Sequence, residues 1–396
     1  MQHKCGVFGC AVMAAAGVWA GAVGPMFDAY AFGARGDGTR LATHALQSAI
    51  DAAAQAGGGT VRLGVGTYVS GTLYLKSNVT LALDAGAVLA ASTSRVDYCS
   101  ATAFPQNYAS SRSGDNTSGG HLLVAHDATN VCVRGPGRID GRAAAFLVDP
   151  ATGTNWAGWK KGIPWRPGQM LYFVDCHGVT VRDVQLANAP YWTCFLLNCT
   201  GVNVSNCTVR TVRRPFKTWN GDGIDIDRCQ DVTVTACDIE TEDDAITLRA
   251  SCERRLRRPQ DCARIRVSDC RLSSACNAVR LGVGNGVISN AVFRGLRIDA
   301  TRVAFNAVGS WARTPEPGVT IRDVTFADCT VDAEILCKFY YRNATASVFE
   351  GIHFRNICGR VRAPSVFDDT PARPFRNVTF DHMDVAGPWR RPPETR

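Results

Sequence analysis

Three aspartates stand at spacings that could do acid–base chemistry. Asp222 lies in Asn220-Gly-Asp-Gly-Ile-Asp225-Ile-Asp227, and the pair Asp243-Asp244 lies in Glu242-Asp-Asp-Ala-Ile-Thr-Leu248. Asp222 and Asp243 are separated by 21 positions, close to one turn of a chain wound into short coils. On neighbouring coils their backbones would lie roughly 4.8 Å apart, with the carboxyls on one face. Crowded carboxylates raise the pKa of at least one of their number. One carboxyl can then hold a proton for a leaving oxygen while another stays ionised to activate water, which is what hydrolysis of a sugar linkage requires. Asp is also a common turn residue, and that plainer role is the reading for Asp227 and Asp269. The coil-matched spacing favours chemistry for Asp222, Asp243 and Asp244.

The elements that must position these groups are visible as a repeat. Cys176-His-Gly-Val179-Thr-Val181 is followed by Cys199-Thr-Gly-Val202-Asn-Val204, Cys229-Gln-Asp-Val232-Thr-Val234 and Cys262-Ala-Arg-Ile265-Arg-Val267, at intervals of 23, 30 and 33 residues. Val319-Thr-Ile321 and Val378-Thr-Phe380 read as later copies. Each copy alternates β-branched and polar residues with period two, bounded by Asn, Asp, Gly and Cys at the turns. Strands recurring at this interval without helical segments between them indicate a β-solenoid, in which each coil buries its inner face against its neighbours. The same alternation sends Ile224, Ile226, Ile246 and Leu248 inward and Asp225 and Asp227 outward. Near the start, Leu41–Gln55 carries Leu46, Ile50 and Ala53 at helical spacing and stops before Gly57-Gly58-Gly59. This predicts a helix that covers the open end of the solenoid.

Composition bounds the rest. The 46% hydrophobic and 20% charged residues are ordinary for a globular chain, and no composition break marks a linker within the 396 residues. Lys and Arg outnumber Asp and Glu, 43 to 35, which suits a polyanionic partner, but the basic residues show no nucleic-acid-binding pattern. The uncharged stretch Cys5–Pro25 after Lys4, with Ala20-Gly-Ala22, predicts a signal peptide over 1–24 and a secreted or periplasmic product that leaves no membrane segment. A solenoid domain is expected over 25–387 and a disordered basic tail over 388–396. The 17 Cys fit an oxidising compartment; most recur in the repeat as stacked thiols, while Cys252 and Cys262 could form a disulfide. The Cys and His spacings do not resemble a zinc site, and no metal or cofactor is expected.

The segments Phe32-Gly-Ala-Arg-Gly-Asp-Gly-Thr39, Gly137-Arg-Ile-Asp-Gly141, Trp165-Arg-Pro167, Ala189-Pro-Tyr-Trp192, Asn220–Asp225 and Glu242–Ile246 together resemble glycoside hydrolase family 28, the polygalacturonase and rhamnogalacturonase family. The resemblance implies an all-β, single-stranded right-handed parallel β-helix and hydrolysis of pectin-type polysaccharide with inversion; a monomer is expected. It implies Asp243 as the general acid and Asp222 with Asp244 as the pair that holds and deprotonates water, with Asn220 at the motif's Asn. Two motifs depart. Cys276-Asn277-Ala278 stands where Gly-His-Gly is usual, and Arg302–Ser310 has no Arg-Ile-Lys, which argues against plain polygalacturonic acid as substrate. Asn277 could partly replace the His. Arg249 and Arg280 could supply a different anion contact or be solvated surface residues. Tyr191 and Trp192 could stack on sugar rings or be packed inside. The Arg-rich loop Cys252–Cys262 could wall the cleft. A Ca²⁺-dependent polysaccharide lyase and a non-catalytic glycan-binding β-helix are the alternatives on this fold.

Overall fold

The computed structural model describes residues 24–100, 103–105, 120–155, 165–211, 216–251, 256, 258–311, 315–368 and 375–392. Its strands form one continuous parallel system wound as a right-handed β-helix with three walls. A single rung shows the pattern: His177–Arg182 lies on one wall, Gln185–Ala187 on the next and Cys194–Leu197 on the third. Each strand then pairs in parallel with the equivalent strand of the following rung. Each inner strand is thus paired on both sides, and the side chains of each wall stack in columns.

The columns explain the repeat. Val179, Val202, Val232 and Ile265 are register partners in series, and all are buried. Val378 and Phe380 continue the columns opposite Ile352 and Phe354. Val319-Thr-Ile321 does not. Ile321 pairs with Ile288 at the start of its strand, and the registered pair is Val324 and Phe326. The long strand Thr320–Tyr340 runs through two bends, so a Val-x-Ile motif at its entry imitates the repeat out of phase.

Cysteine fills the inside of one turn. The residue before it adopts left-handed backbone in successive rungs, at Asp175, Asn198 and Arg228 with φ of 52°, 55° and 53°. The cysteines that follow, Cys176, Cys199 and Cys229, are buried as free thiols, as is Cys262 in the next rung. Cys199 and Cys229 donate to the carbonyls of Phe173 and Leu196 in the preceding rung, both at 3.4 Å. Small, soft side chains suit this crowded corner. The expected bridge to Cys262 is therefore corrected, because that thiol belongs to the ladder; Cys252 lies outside the described residues.

The helix Thr43–Gln55 buries Leu46, Ala49, Ile50 and Ala53 against the first coil. Gln47 ties it to the backbone of Tyr74, and Asp51 pairs with Lys76 at 2.7 Å. At the other end the expectation of disorder from 388 does not hold for residues 388–392. Trp389 packs on Phe380 with ring centroids 5.8 Å apart, and Arg390 and Arg391 donate to the carbonyls of Ser365 and Phe380. The expected signal segment lies outside the described residues up to position 23. No helix among the described residues is long and apolar enough to cross a membrane.

Candidate active site

All three sequence-selected aspartates gather on the outer face of one wall, Asp222 at the entry of strand Ile224–Asp227 and Asp243 and Asp244 at the entry of Ile246–Ala250, with Asn277–Gly284 the next strand of that wall. These strands pair in register, Ile224 with Ile246 and Ile246 with Val279. Ile224, Ile226, Ile246 and Leu248 point into the core. Just before the strands, the Asp243 N–H donates to the Gly221 carbonyl at 3.3 Å and the Gly223 N–H to the Asp244 carbonyl at 2.9 Å, which sets Asp222 beside the Asp243-Asp244 pair. Gly223 has to be glycine at this closest approach, since a Cβ there would lie 2.4 Å from the Ala245 carbonyl oxygen.

The three carboxyls differ in depth. The side chains of Asp222 and Asp244 are only 4% and 6% exposed, whereas Asp243 is half-buried at the mouth. The Asp243 carbonyl accepts from the Thr241 and Ser274 hydroxyls, each at 2.6 Å, so its backbone is fixed from two rungs. One oxygen of each of Asp243 and Asp244 and the Cys276 sulfur lie within 4.8 Å of one another. Burial, reinforced by the Asp244 charge, pushes the Asp243 carboxyl up to about 6, against opposition from Arg280 and a Cys276 contact. Burial also holds Asp222 well above the usual carboxylate range, with the charges of Asp225, Asp243 and Asp244 adding to it and Arg249 opposing. Such upward displacement is the mark of carboxyls able to carry a proton near neutral pH.

Asp244 is clamped. It accepts from the Arg280 Nε and, at 2.5 Å, from the Asn277 amide. Asn277 accepts in turn from the Asn306 amide at 2.8 Å, and a second Arg280 nitrogen donates to the Gly282 carbonyl at 2.9 Å. Arg249 serves the preceding rung. Its Nε donates to Asp225 at 3.1 Å, another of its nitrogens lies 3.6 Å from Asp222, and its guanidinium sits 4.2 Å from the centre of the Trp192 ring. Burial raises the Asp225 carboxyl, and Arg249 and the Thr247 hydroxyl, 2.5 Å away, oppose it. Asp227 is fully buried and accepts from the Ser251 N–H at 2.9 Å, the strand-capping role expected of it.

Several expectations change here. Arg249 and Arg280 are neither solvated nor free to meet an external anion, because both are buried against the protein's own aspartates. Tyr191 and Trp192 do not offer faces to a sugar. They are 1% and 2% exposed and stacked on each other at 5.0 Å, so their part is to support Arg249 and Arg166 from behind. Asn220 does not face outward as a free amide; its side-chain oxygen accepts from Arg166 at 3.0 Å. Arg166 also donates to the carbonyls of Pro190 and Trp219, pinning the segment that leads to Asp222. Sequence reasoning saw Arg166 only as part of a motif, and missed Asp225 and Thr247 as site members. The strict alternation of Asp225 with Thr247 in adjacent strands was the available signal. Of the Arg-rich loop, Arg254, Arg255 and Arg257 lie outside the described residues.

The chain is thus a parallel β-helix that carries a cluster of carboxylates on one outer wall. Residues 100–254 match the model of glycosyl hydrolases family 28, so the motif resemblance holds over the stretch that carries all three aspartates. An endo-polygalacturonase of Pectobacterium carotovorum subsp. carotovorum is 27% identical over 222 residues, covering 53% of this chain and 51% of that protein. The chain thus spans about half the length of the curated relatives it matches. Among solved structures, the exopolygalacturonase of Thermotoga maritima superposes with a TM-score of 0.77 at 19% identity, over 92% of this chain and 87% of that one. The polygalacturonase of Erwinia carotovora ssp. carotovora gives 0.70 at 18%, over 95% and 97%. These likenesses establish the β-helix fold.

Proposed function

We propose that the protein hydrolyses glycosidic bonds in an acidic, pectin-type polysaccharide, with Asp243 as general acid and Asp222 and Asp244 holding the attacking water. The observation that carries this reading is the graded cluster: a half-buried carboxyl pushed up to about 6 sits directly beside a deeper aspartate clamped by Arg280. One group is thereby suited to give a proton and another to accept one, the division that glycoside hydrolysis needs. The family match over residues 100–254 and the polygalacturonase relatives support the same substrate class. Inversion rests on the family resemblance. Neither a lyase nor a non-catalytic binding protein is favoured by these comparisons. A polymeric plant-wall substrate fits action outside the cytoplasm, as a secreted or periplasmic protein.

An acid that must be protonated sets a pH limit. Cleavage of galacturonan or rhamnogalacturonan, followed by reducing-end release, is expected to decline as pH rises through about 6, where Asp243 loses its proton. A rate that climbs steadily to pH ~8 would remove Asp243 from the acid role.

The substrate's charge has a receiving group. Lys338 pairs in register with Asn306, which pairs with Arg280, so it stands two rungs beyond Arg280 on the same wall. It is half-buried, 5.2 Å above the Tyr340 ring, and forms no ion pair among the described residues. Two rungs span roughly 10 Å, about the reach of a neighbouring sugar in a bound chain. Lys338→Ala is expected to raise KM for an acidic polymer roughly three- to tenfold with little change in kcat, measured by initial rates. Unchanged KM would remove Lys338 from substrate binding.

A further inference from the structure

The aspartate cluster is built over a charge imbalance. Asp222, Asp225, Asp243 and Asp244 crowd one patch of wall, and two buried guanidiniums answer them. Arg249 is committed mainly to Asp225, at 3.1 Å against 3.6 Å for Asp222. That leaves Arg280 as the cation in contact with the Asp243-Asp244 pair. Its side chain is 2% exposed, so water screens little of its charge. It is also aimed: one guanidinium nitrogen is spent on Asp244 and another on the Gly282 carbonyl of its own strand. Asn277 stands where the family resemblance leads one to expect a histidine, and it takes the second Asp244 oxygen while Asn306 holds it in place.

We infer that Arg280, braced by Asn277 and Asn306, is a positioning residue that clamps Asp244 beneath Asp243 and supplies the counter-charge on which the carboxylate cluster depends. The inference rests on the hydrolase reading of this site. Arg280 acts through the aspartates and touches no substrate atom. Its charge opposes protonation of Asp243 and of Asp225, so the cluster with Arg280 releases protons at lower pH than the cluster without it. The other charged groups facing this patch are Arg249 from the Asp244 strand and Arg302, whose guanidinium lies 3.3 Å from the Cys276 sulfur at the mouth. Tyr340, packed beyond Asn306 with its phenol raised by burial, adds two cations held against its ring, Lys338 at 5.2 Å and Arg342 at 5.4 Å from the centroid. None of them contacts Asp244, so none replaces Arg280.

The test is the pH profile of kcat/KM on the polymer that the wild-type protein cleaves. Arg280→Gln is expected to lower kcat by roughly ten- to a hundredfold, to leave KM within about threefold, and to move the alkaline limb upward by about one pH unit. Arg280→Lys keeps the charge without the planar fork, and is expected to keep the limb in place with a smaller loss of kcat. A profile that stays put in Arg280→Gln, or moves equally in both variants, overturns the inference. Should Arg280→Gln not fold, Arg280→Lys decides, because a displaced limb with the charge retained contradicts the counter-charge role. Carboxyl titration of ¹³C-aspartate protein is independent of turnover. The resonance absent from Asp243→Asn is expected to titrate at higher pH in Arg280→Gln than in wild type, and an equal midpoint overturns the inference. Wild-type protein that cleaves no pectic polymer sinks the hydrolase reading, whereas the titration still decides whether Arg280 governs the cluster.

Discussion

Asp243→Asn is expected to abolish polymer cleavage and to make the protein more stable at neutral pH. In its proposed role as proton donor to the leaving oxygen, Asp243 would supply a general-acid contribution of roughly 10²- to 10⁴-fold, and an amide cannot replace it. The stability sign follows from linkage. The folded-state value of about 6 lies above the ordinary 3.8. Asp243 therefore contributes favourably below the unfolded value, and that contribution is lost as pH rises through about 6. Above that pH wild type holds a charged carboxylate that folding disfavours, and Asn does not. Because the group is half-buried, the gain is about 1 kcal/mol at pH ~7 and vanishes near pH ~4, measured by denaturant melts at the two pH values. A variant that is inactive and destabilised at both would indicate a structural lesion.

Asp244→Asn should lose activity as severely and move stability the other way. The substitution leaves Arg280 buried against a neutral amide, and breaking a buried ion pair from one side costs about 3 kcal/mol. Asn retains one oxygen that can accept from either Arg280 or Asn277, which keeps the loss near the low end of that range. Cleavage is expected to fall by at least roughly 10²-fold, because the water loses its clamped acceptor. Thermal melts and reducing-end assays on the same preparation read both effects. A variant as stable as wild type would show that Arg280 is not committed to Asp244. The opposite stability signs at adjacent residues separate the half-buried proposed donor from the anchored carboxylate in a way that activity alone does not.

The fold was legible because a solenoid writes its geometry as a repeat. Val179, Val202, Val232 and Ile265 could be aligned by eye since each occupies the same column. The cysteine ladder was legible for the same reason: one crowded corner recurs and selects one small side chain. Phase was lost where strands lengthen. Val319-Thr-Ile321 satisfies the motif yet enters the wall ahead of the registered pair, because a 21-residue strand turns corners that no Gly or Asn cluster marks. The gathering of Asp222, Asp243 and Asp244 was also legible, since one coil length separates two of them.

What alternation could not disclose was cover. It places Arg249, Arg280, Tyr191 and Trp192 on or near an outer face, and an outer face suggests solvent or substrate. The structure buries all four, because Trp192 carries Arg249 on its ring and both guanidiniums turn onto the protein's own aspartates. Carboxyl clusters in a wall of low dielectric demand internal cations, and that demand is a property of packing rather than of spacing. Lys338 escaped notice for the converse reason. Its sequence surroundings, Cys337-Lys-Phe-Tyr340, show no motif, and only the register through Asn306 brings it onto the wall of the aspartates.

The most direct measurement follows the first product formed from galacturonan and rhamnogalacturonan oligomers by proton NMR, comparing wild type with Asp243→Asn. Appearance of saturated products with inverted anomeric configuration, in wild type alone, is the predicted result. Equal product from both proteins, or unsaturated products absorbing in the ultraviolet, would contradict acid-catalysed hydrolysis by this wall of aspartates.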